Sequence, residues 1–210
     1  APANARYVKC LQCTDKGTAR ALAFSADGRL LAIPAGSRLI IYDTHSLAEM
    51  HCIDPRVREE SPPFITALAF SPDSTTLAAG FEDGTIHLWD PIEGTLIRVL
   101  GPHSDTVDTV IAVAFSADGR SLASARHDST VCVWRVADGA LLRTFRVPGP
   151  QQSISEAPQC WVSAAFSPDG ALLAWACYEN LGLYRVQDGV RLRRLPVPLF
   201  EPVRALAFSP

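Results

Sequence analysis

The chain has 210 residues, of which 48% are hydrophobic and 20% charged, and its formal net charge is −3. That balance belongs to a chain able to bury a sizeable core, and its near-neutral charge gives no reason to expect nucleic acid or an anionic membrane surface as a partner. No apolar run approaches the roughly 18 residues of a membrane-spanning helix.

In chain order, the first residue is Ala1 rather than Met, so a processed or excised N-terminus is expected. Residues 6–12 (RYVKCLQ) read as a single strand. A regular pattern then begins. The segment ALAFS around Phe24 is followed by the turn SADG at 25–28, a strand LLAI, and a third strand LIIY at 39–42. After a loop at 52–64, the same order returns around Phe70: ALAFS, the turn SPDS at 71–74, TLAA, IHLW at 86–89 and TLIRVL at 95–100. Around Phe115 it reads AVAFS, SADG at 116–119, SLAS, VCVW at 131–134 and ALLRTF at 140–145. A second long loop at 146–159 leads to SAAFS around Phe166, SPDG at 167–170, LLAWA, LGLY at 181–184 and VRLRRL at 190–195. Residues 202–208 open a fifth copy at Phe208.

The anchoring phenylalanines lie 46, 45, 51 and 42 residues apart, so the whole of 1–210 reads as one repeat region. The segments between turns are short, rich in β-branched and aromatic residues, and bounded by Gly, Asp, Asn and Ser, which predicts strands. Ser-Pro-Asp-Gly suits a type I turn whose final glycine takes positive φ. Four antiparallel strands make a small sheet that is apolar on both faces. Such a sheet is insoluble alone and must stack on its copies.

The unit resembles the WD40 repeat of β-propellers, with Trp89-Asp90 as the dipeptide of that family and Tyr42-Asp43, Trp134-Arg135 and Tyr184-Arg185 as weaker forms. The resemblance implies an all-β propeller with four complete four-stranded blades and partial strands at both ends. WD40 rings usually have more blades than four, so part of a larger ring is expected. Its open first and last blades would expose apolar faces through which the chain self-associates.

The resemblance also implies a buried hydrogen-bond tetrad, matched throughout in one unit by His103, Ser124, Asp128 and Trp134. At the Ser position the other units have Ile33, Ala79 and Trp175, which predicts apolar packing in place of the network. Ser124, His103 and Asp128 are also the residue types of a hydrolase triad. Ser124 stands mid-strand between alanines with no sharp nucleophile turn, so the structural reading is preferred. Cys10 and Cys13 form a CxxC without a second ligand pair, and no phosphate loop or acid–base pair is visible. No metal, cofactor or catalytic residue is therefore assigned.

By resemblance, the contact surface is the top face, formed by the loops before each first strand and between the second and third. Its positions here are Thr18, Arg20, Phe64, Thr66, Glu82, Thr109, Ile111, His127, Val162, Tyr178 and Arg204. The expected function is a non-catalytic scaffold or peptide-binding platform with other proteins as partners. The alternative is the propeller region of a larger kinase or nucleotide-hydrolysing enzyme whose catalytic domain lies outside these residues. Cysteines inside apolar strands point to a reducing, intracellular and cytoplasmic setting. His87 is expected in the core, and His45 and His51 in solvent.

Overall fold

A computed structural model of the protein describes residues 21–35, 37–54, 63–101, 108–147, 162–177, 180–195 and 206–209. The strand-like segment at 6–12, the interiors of both long loops, and Cys10, Cys13 and Cys160 lie outside the described residues. The described residues form sixteen strands and no helix. The first sheet holds β1 (Ala23–Phe24), β2 (Leu30–Ala35), β3 (Arg38–Asp43) and β4 (Glu49–Ile53). The second holds β5 (Ile65–Phe70), β6 (Leu77–Phe81), β7 (Ile86–Asp90) and β8 (Thr95–Leu100). The third holds β9 (Val110–Phe115), β10 (Ser121–Arg126), β11 (Thr130–Arg135) and β12 (Leu141–Arg146). The fourth holds β13 (Val162–Phe166), β14 (Leu172–Cys177), β15 (Asn180–Arg185) and β16 (Arg191–Leu195). In every sheet the strands lie side by side in chain order, all antiparallel. The sequence reading names no segment for β4. Residues 206–209, expected to open a fifth copy, carry no strand.

Strand register explains why each sheet needs a neighbour. Cross-strand partners share a face, and one face of every blade carries a bulky row. The row is Phe70, Leu77 and Trp89 in the second blade, Phe115, Leu122 and Trp134 in the third, and Phe166, Leu173 and Tyr184 in the fourth. The opposite face is lined by alanine on the first two strands and an aliphatic residue on the third. There the rows are Ala23, Ala32 and Ile41 in the first blade, Ala69, Ala78 and Leu88 in the second, and Ala114, Ala123 and Val133 in the third. The bulky row of each blade fills the alanine-lined face of the blade before it. Three cores result: Ala32 and Ile41 with Leu77 and Trp89, Ala78 and Leu88 with Phe115, Leu122 and Trp134, and Ala123 with Leu173 and Tyr184. Large residues meeting small ones across the interface is how layers interdigitate at native density.

The first strands of successive blades contact one another, β1 with β5, β5 with β9 and β9 with β13, while β8, β12 and β16 present mostly exposed side chains. First strands therefore line the inside and fourth strands the rim. Among the described residues β13 has no comparable contact with β1, so the four blades form an open arc of a propeller.

The turn between the first two strands is the same device in every blade. Ser25, Ser71, Ser116 and Ser167 each donate a hydroxyl to the aspartate two residues on, at 2.5–2.6 Å. Each serine oxygen also accepts the backbone N–H five residues on, at 2.9–3.0 Å. These bonds hold the carboxyls of Asp27, Asp73, Asp118 and Asp169 below the usual carboxylate range, with the serine hydroxyl as the leading cause. The turns also join blades: the Ala117 amide donates to the Asp169 carbonyl at 2.9 Å. At Gly170 (φ 68°) a Cβ would stand 2.5 Å from the Phe115 carbonyl oxygen, which is why this turn ends in glycine.

The turn from third to fourth strand explains the departures from Trp-Asp. Asp43 and Asp90 accept the turn's amides from the dipeptide position itself. In the third and fourth blades that position is Arg135 or Arg185, and the accepting carboxylate moves three residues on, to Asp138 or Asp188, each ion-paired back to its arginine. His51, expected in solvent, is half-buried. Its Nε2 donates to the Ile92 carbonyl at 2.7 Å, a bond across the first two blades that Arg98 repeats to Ala137 at 3.1 Å across the next two. His45 is exposed as expected.

Candidate functional site

The described part of the top face lies where the second and third blades meet. Phe64 and Asp108–Thr109 lead into β5 and β9, and Glu82–Gly84 and His127–Ser129 link the second strands to the third. In both blades the first strand carries a bulge near its start, at Thr66 and Ile111. A bulge inserts one unpaired residue and re-aims its side chain. Thr66 consequently turns its hydroxyl across the blade boundary towards the Val110 carbonyl (2.5 Å), sharing its proton with the Gly80 carbonyl of its own blade (3.0 Å). Ile111 packs instead on the core between the third and fourth blades.

A second set of bonds ties the loops together. The Glu82 amide donates to the Phe64 carbonyl at 3.1 Å, and the His127 amide to the Thr109 carbonyl at 3.0 Å. The Thr109 hydroxyl donates to the Glu82 carbonyl at 3.3 Å. Phe64, Thr66, Glu82, Thr109 and His127 thus come from two blades into one bonded rim. Within it, Phe64 keeps 51% of its surface exposed. Backbone and threonine groups carry the rigidity, leaving the phenyl ring turned to solvent.

Two residues missed by sequence reading stand in the same rim. The half-buried Asp108 carboxylate accepts the Asp128 amide at 2.5 Å. Burial pushes its carboxyl above the ordinary range, and the Asp128 charge adds to this against the pull of His127 and Arg126. Arg126, at the end of β10, is 3% exposed, and its Nη2 donates to the Gly84 carbonyl at 3.2 Å across the blade boundary. Its Nε has no partner among the described residues. A charged residue extending an apolar strand was the available signal for Arg126. Asp108 had none, since only the loop's path brings it beside Asp128.

The tetrad is described in three of its four members. Trp134 is fully buried, and its Nε1 donates to the equally buried Ser124 hydroxyl at 2.9 Å. A nucleophile at Ser124 would be sealed beneath the blade interface. Asp128 accepts the Thr130 amide at 2.7 Å and faces Arg146 at 3.6 Å. The other blades correct one expectation. In the second, Ala79 removes the acceptor while Trp89 remains, and Trp89 Nε1 has no partner among the described residues. Its neighbour His87 is buried as expected, with Nδ1 likewise unpaired, and burial lowers the imidazole pKa against the smaller pull of Asp83. Trp175, at the serine position of the fourth blade, also has no partner for Nε1 among the described residues. In the second blade one partner was replaced rather than both, so apolar packing there retains an unsatisfied donor; in the fourth both were replaced, and the unsatisfied donor is the one Trp175 itself brings.

The remaining expected site residues are placed less fully. His103, Thr18, Arg20, Tyr178 and Arg204 lie outside the described residues, and Val162 is placed by backbone alone, at the start of β13. Among the described residues no group of three or more His, Cys, Asp or Glu is arranged to hold a metal ion.

Comparison with known families agrees with this architecture. The Vps8 beta-propeller family matches residues 14–107, and the WD domain, G-beta repeat, matches residues 94–135. The two matches together run from ahead of the first blade to the end of β11.

Proposed function

Since the chain belongs to the WD40-repeat β-propeller family, whose domains generally serve as protein-interaction scaffolds, we propose that it is a non-catalytic platform that binds a peptide segment of another protein across its top face. The observation that carries this reading is the exposed Phe64 ring standing on the hydrogen-bonded rim beside Glu82 and His127. A rigid scaffold presenting an aromatic ring pre-pays the ordering cost of binding, and aromatic anchors carry most interface energy. The neighbouring Glu82, Asp108 and His127 would set orientation. The platform is taken as intracellular, a reading supported by the free thiols of Cys52 and Cys132.

The test is a selection of displayed peptides against the 210-residue chain, followed by affinity measurement on the triple variant Phe64→Ala, Glu82→Ala, His127→Ala. Selected peptides should lose at least about tenfold in affinity, the scale of one lost anchor. The thermal transition should be unchanged. Peptides that bind the triple variant as tightly as the parent chain would refute the top-face assignment.

A further inference from the structure

The rim is built differently at the seam between the third and fourth blades than at the two seams before it. His51, Arg98 and Arg143 hold equivalent register positions on β4, β8 and β12, opposite Ile41, Leu88 and Val133. Each lies on the face that its blade turns to the next. His51 and Arg98 are tied there to the Ile92 and Ala137 carbonyls. Arg143 is exposed and makes no such bond to the corresponding Gln187 carbonyl among the described residues. The fourth blade adds two more cations to the same seam. Arg191 and Arg194 lie opposite Tyr184 and Gly182, on the bulky-row face directed at the third blade. Their counterparts are uncharged, Leu96 and Val99 on β8 and Leu141 and Thr144 on β12. Arg191 is anchored, its guanidinium reaching the Tyr184 hydroxyl, and Arg194 is exposed. Neither β12 nor β16 contains Asp or Glu. The carboxylates of the turns leading into them, Asp138 and Asp188, are held by Arg135 and Arg185. Like charges gathered on one surface repel, and a carboxylate seated among them turns that cost into charge-assisted bonds.

Two further features define the form of the anion. Within the described sheet β16 has β15 as its one neighbour, so its outer edge offers unpaired backbone groups. Beside the arginines, Leu142 and Leu192 stand at the bulges of β12 and β16, 46% and 45% exposed, as contacts for apolar side chains. The net charge of −3 confines attraction for anions to this seam, which suits a narrow strand better than an anionic bilayer. We propose that the seam binds an acidic, extended segment of another protein. The segment adds to the free edge of β16 as a fifth strand and turns its carboxylates to Arg143, Arg191 and Arg194. This surface lies on the rim and does not depend on the top-face reading.

The test is fluorescence anisotropy on the 210-residue chain with a labelled peptide in which glutamate alternates with threonine, so that one strand face is acidic. The peptide should bind, and bind more weakly as salt rises. The double variant Arg143→Gln, Arg194→Gln should lose at least about tenfold in affinity, the scale of a lost charge-assisted bond. Its thermal transition should not fall, since both side chains are exposed and the change relieves repulsion. Two peptides N-methylated at alternate positions, one on the glutamates and one on the threonines, report the edge. One should lose binding and the other keep it, because only one set of amides faces β16. The triple variant Phe64→Ala, Glu82→Ala, His127→Ala should bind the peptide like the parent chain. A peptide that stays unbound up to about 1 mM overturns the proposal. So does undiminished binding by the double variant, equal binding of both N-methylated peptides, or loss of binding in the triple variant. Vesicles containing phosphatidylserine that bind the parent but not the double variant, with the peptide unbound, would assign the seam to a lipid surface instead.

Discussion

Exchanging one oxygen atom between two blades should move stability in opposite directions. Ser124→Ala removes the hydroxyl that accepts the fully buried Trp134 indole N–H at 2.9 Å. Orphaning a buried donor costs its desolvation penalty, about 1–3 kcal/mol. Ala79→Ser performs the reverse change at the equivalent position, where Trp89 Nε1 and His87 Nδ1 both lie buried with no partner among the described residues. A serine hydroxyl there can accept from the indole and donate to the imidazole. The gain is smaller, about 0.5–1.5 kcal/mol, since burying the new hydroxyl offsets part of it. For a chain of this size, 1 kcal/mol corresponds to about 2–4 °C in Tm. Ser124→Ala should therefore lower Tm by about 2–12 °C and Ala79→Ser should raise it by a few degrees. Urea unfolding followed by tryptophan fluorescence measures both. If the two variants shift stability in the same direction, the argument from indole satisfaction is wrong.

Three further outcomes follow from the packing and the titrations. Gly170→Ala forces a Cβ to within 2.5 Å of the Phe115 carbonyl oxygen at a left-handed φ, and should cost about 2–4 kcal/mol in denaturant unfolding, from the strained dihedral and the overpacking together. Thr66→Val keeps the shape but removes the hydroxyl that bonds Val110 across the second and third blades and shares its proton with Gly80, and should cost about 1–2 kcal/mol. Stability should fall with pH in two separate windows. Buried His87 has its pKa below the ordinary 6.5, so the unfolded chain takes up a proton first and stability declines as pH drops through about 6.5 towards the lower folded value. The turn aspartates lie below 3.8 in the folded state, so their contribution is present above that value and is lost as pH falls through the folded pKa values. Unfolding curves across pH should show the upper window abolished in His87→Gln and the lower one retained.

The sequence by itself determined the blades. Alternating apolar segments, Ser-x-Asp-Gly turns and the spacing of five phenylalanines fixed the number of strands per sheet, their order and the placement of Trp89, Trp134 and Tyr184, because each signal is local and repeats in register. The resemblance to WD40 repeats, not the pattern alone, marked Ser124 as the partner of Trp134, two residues on adjacent strands of one sheet. Strand β4 was illegible because EMHCI alternates weakly and lacks the aliphatic density of its counterparts. What lies between blades was decided only by tertiary structure. Thr66 reads as a surface threonine, yet its bulge sends the hydroxyl into the next blade. His51 reads as solvated, yet the neighbouring turn supplies the Ile92 carbonyl. Arg126 and Asp108 acquire partners, at Gly84 and Asp128, from 42 and 20 residues away in the chain. A strand's period reports which way a side chain faces, but the identity of what it meets depends on how blades rotate about their common axis. That rotation is set by bulky rows seating in alanine-lined ones, a property of pairs of sheets that no single segment records.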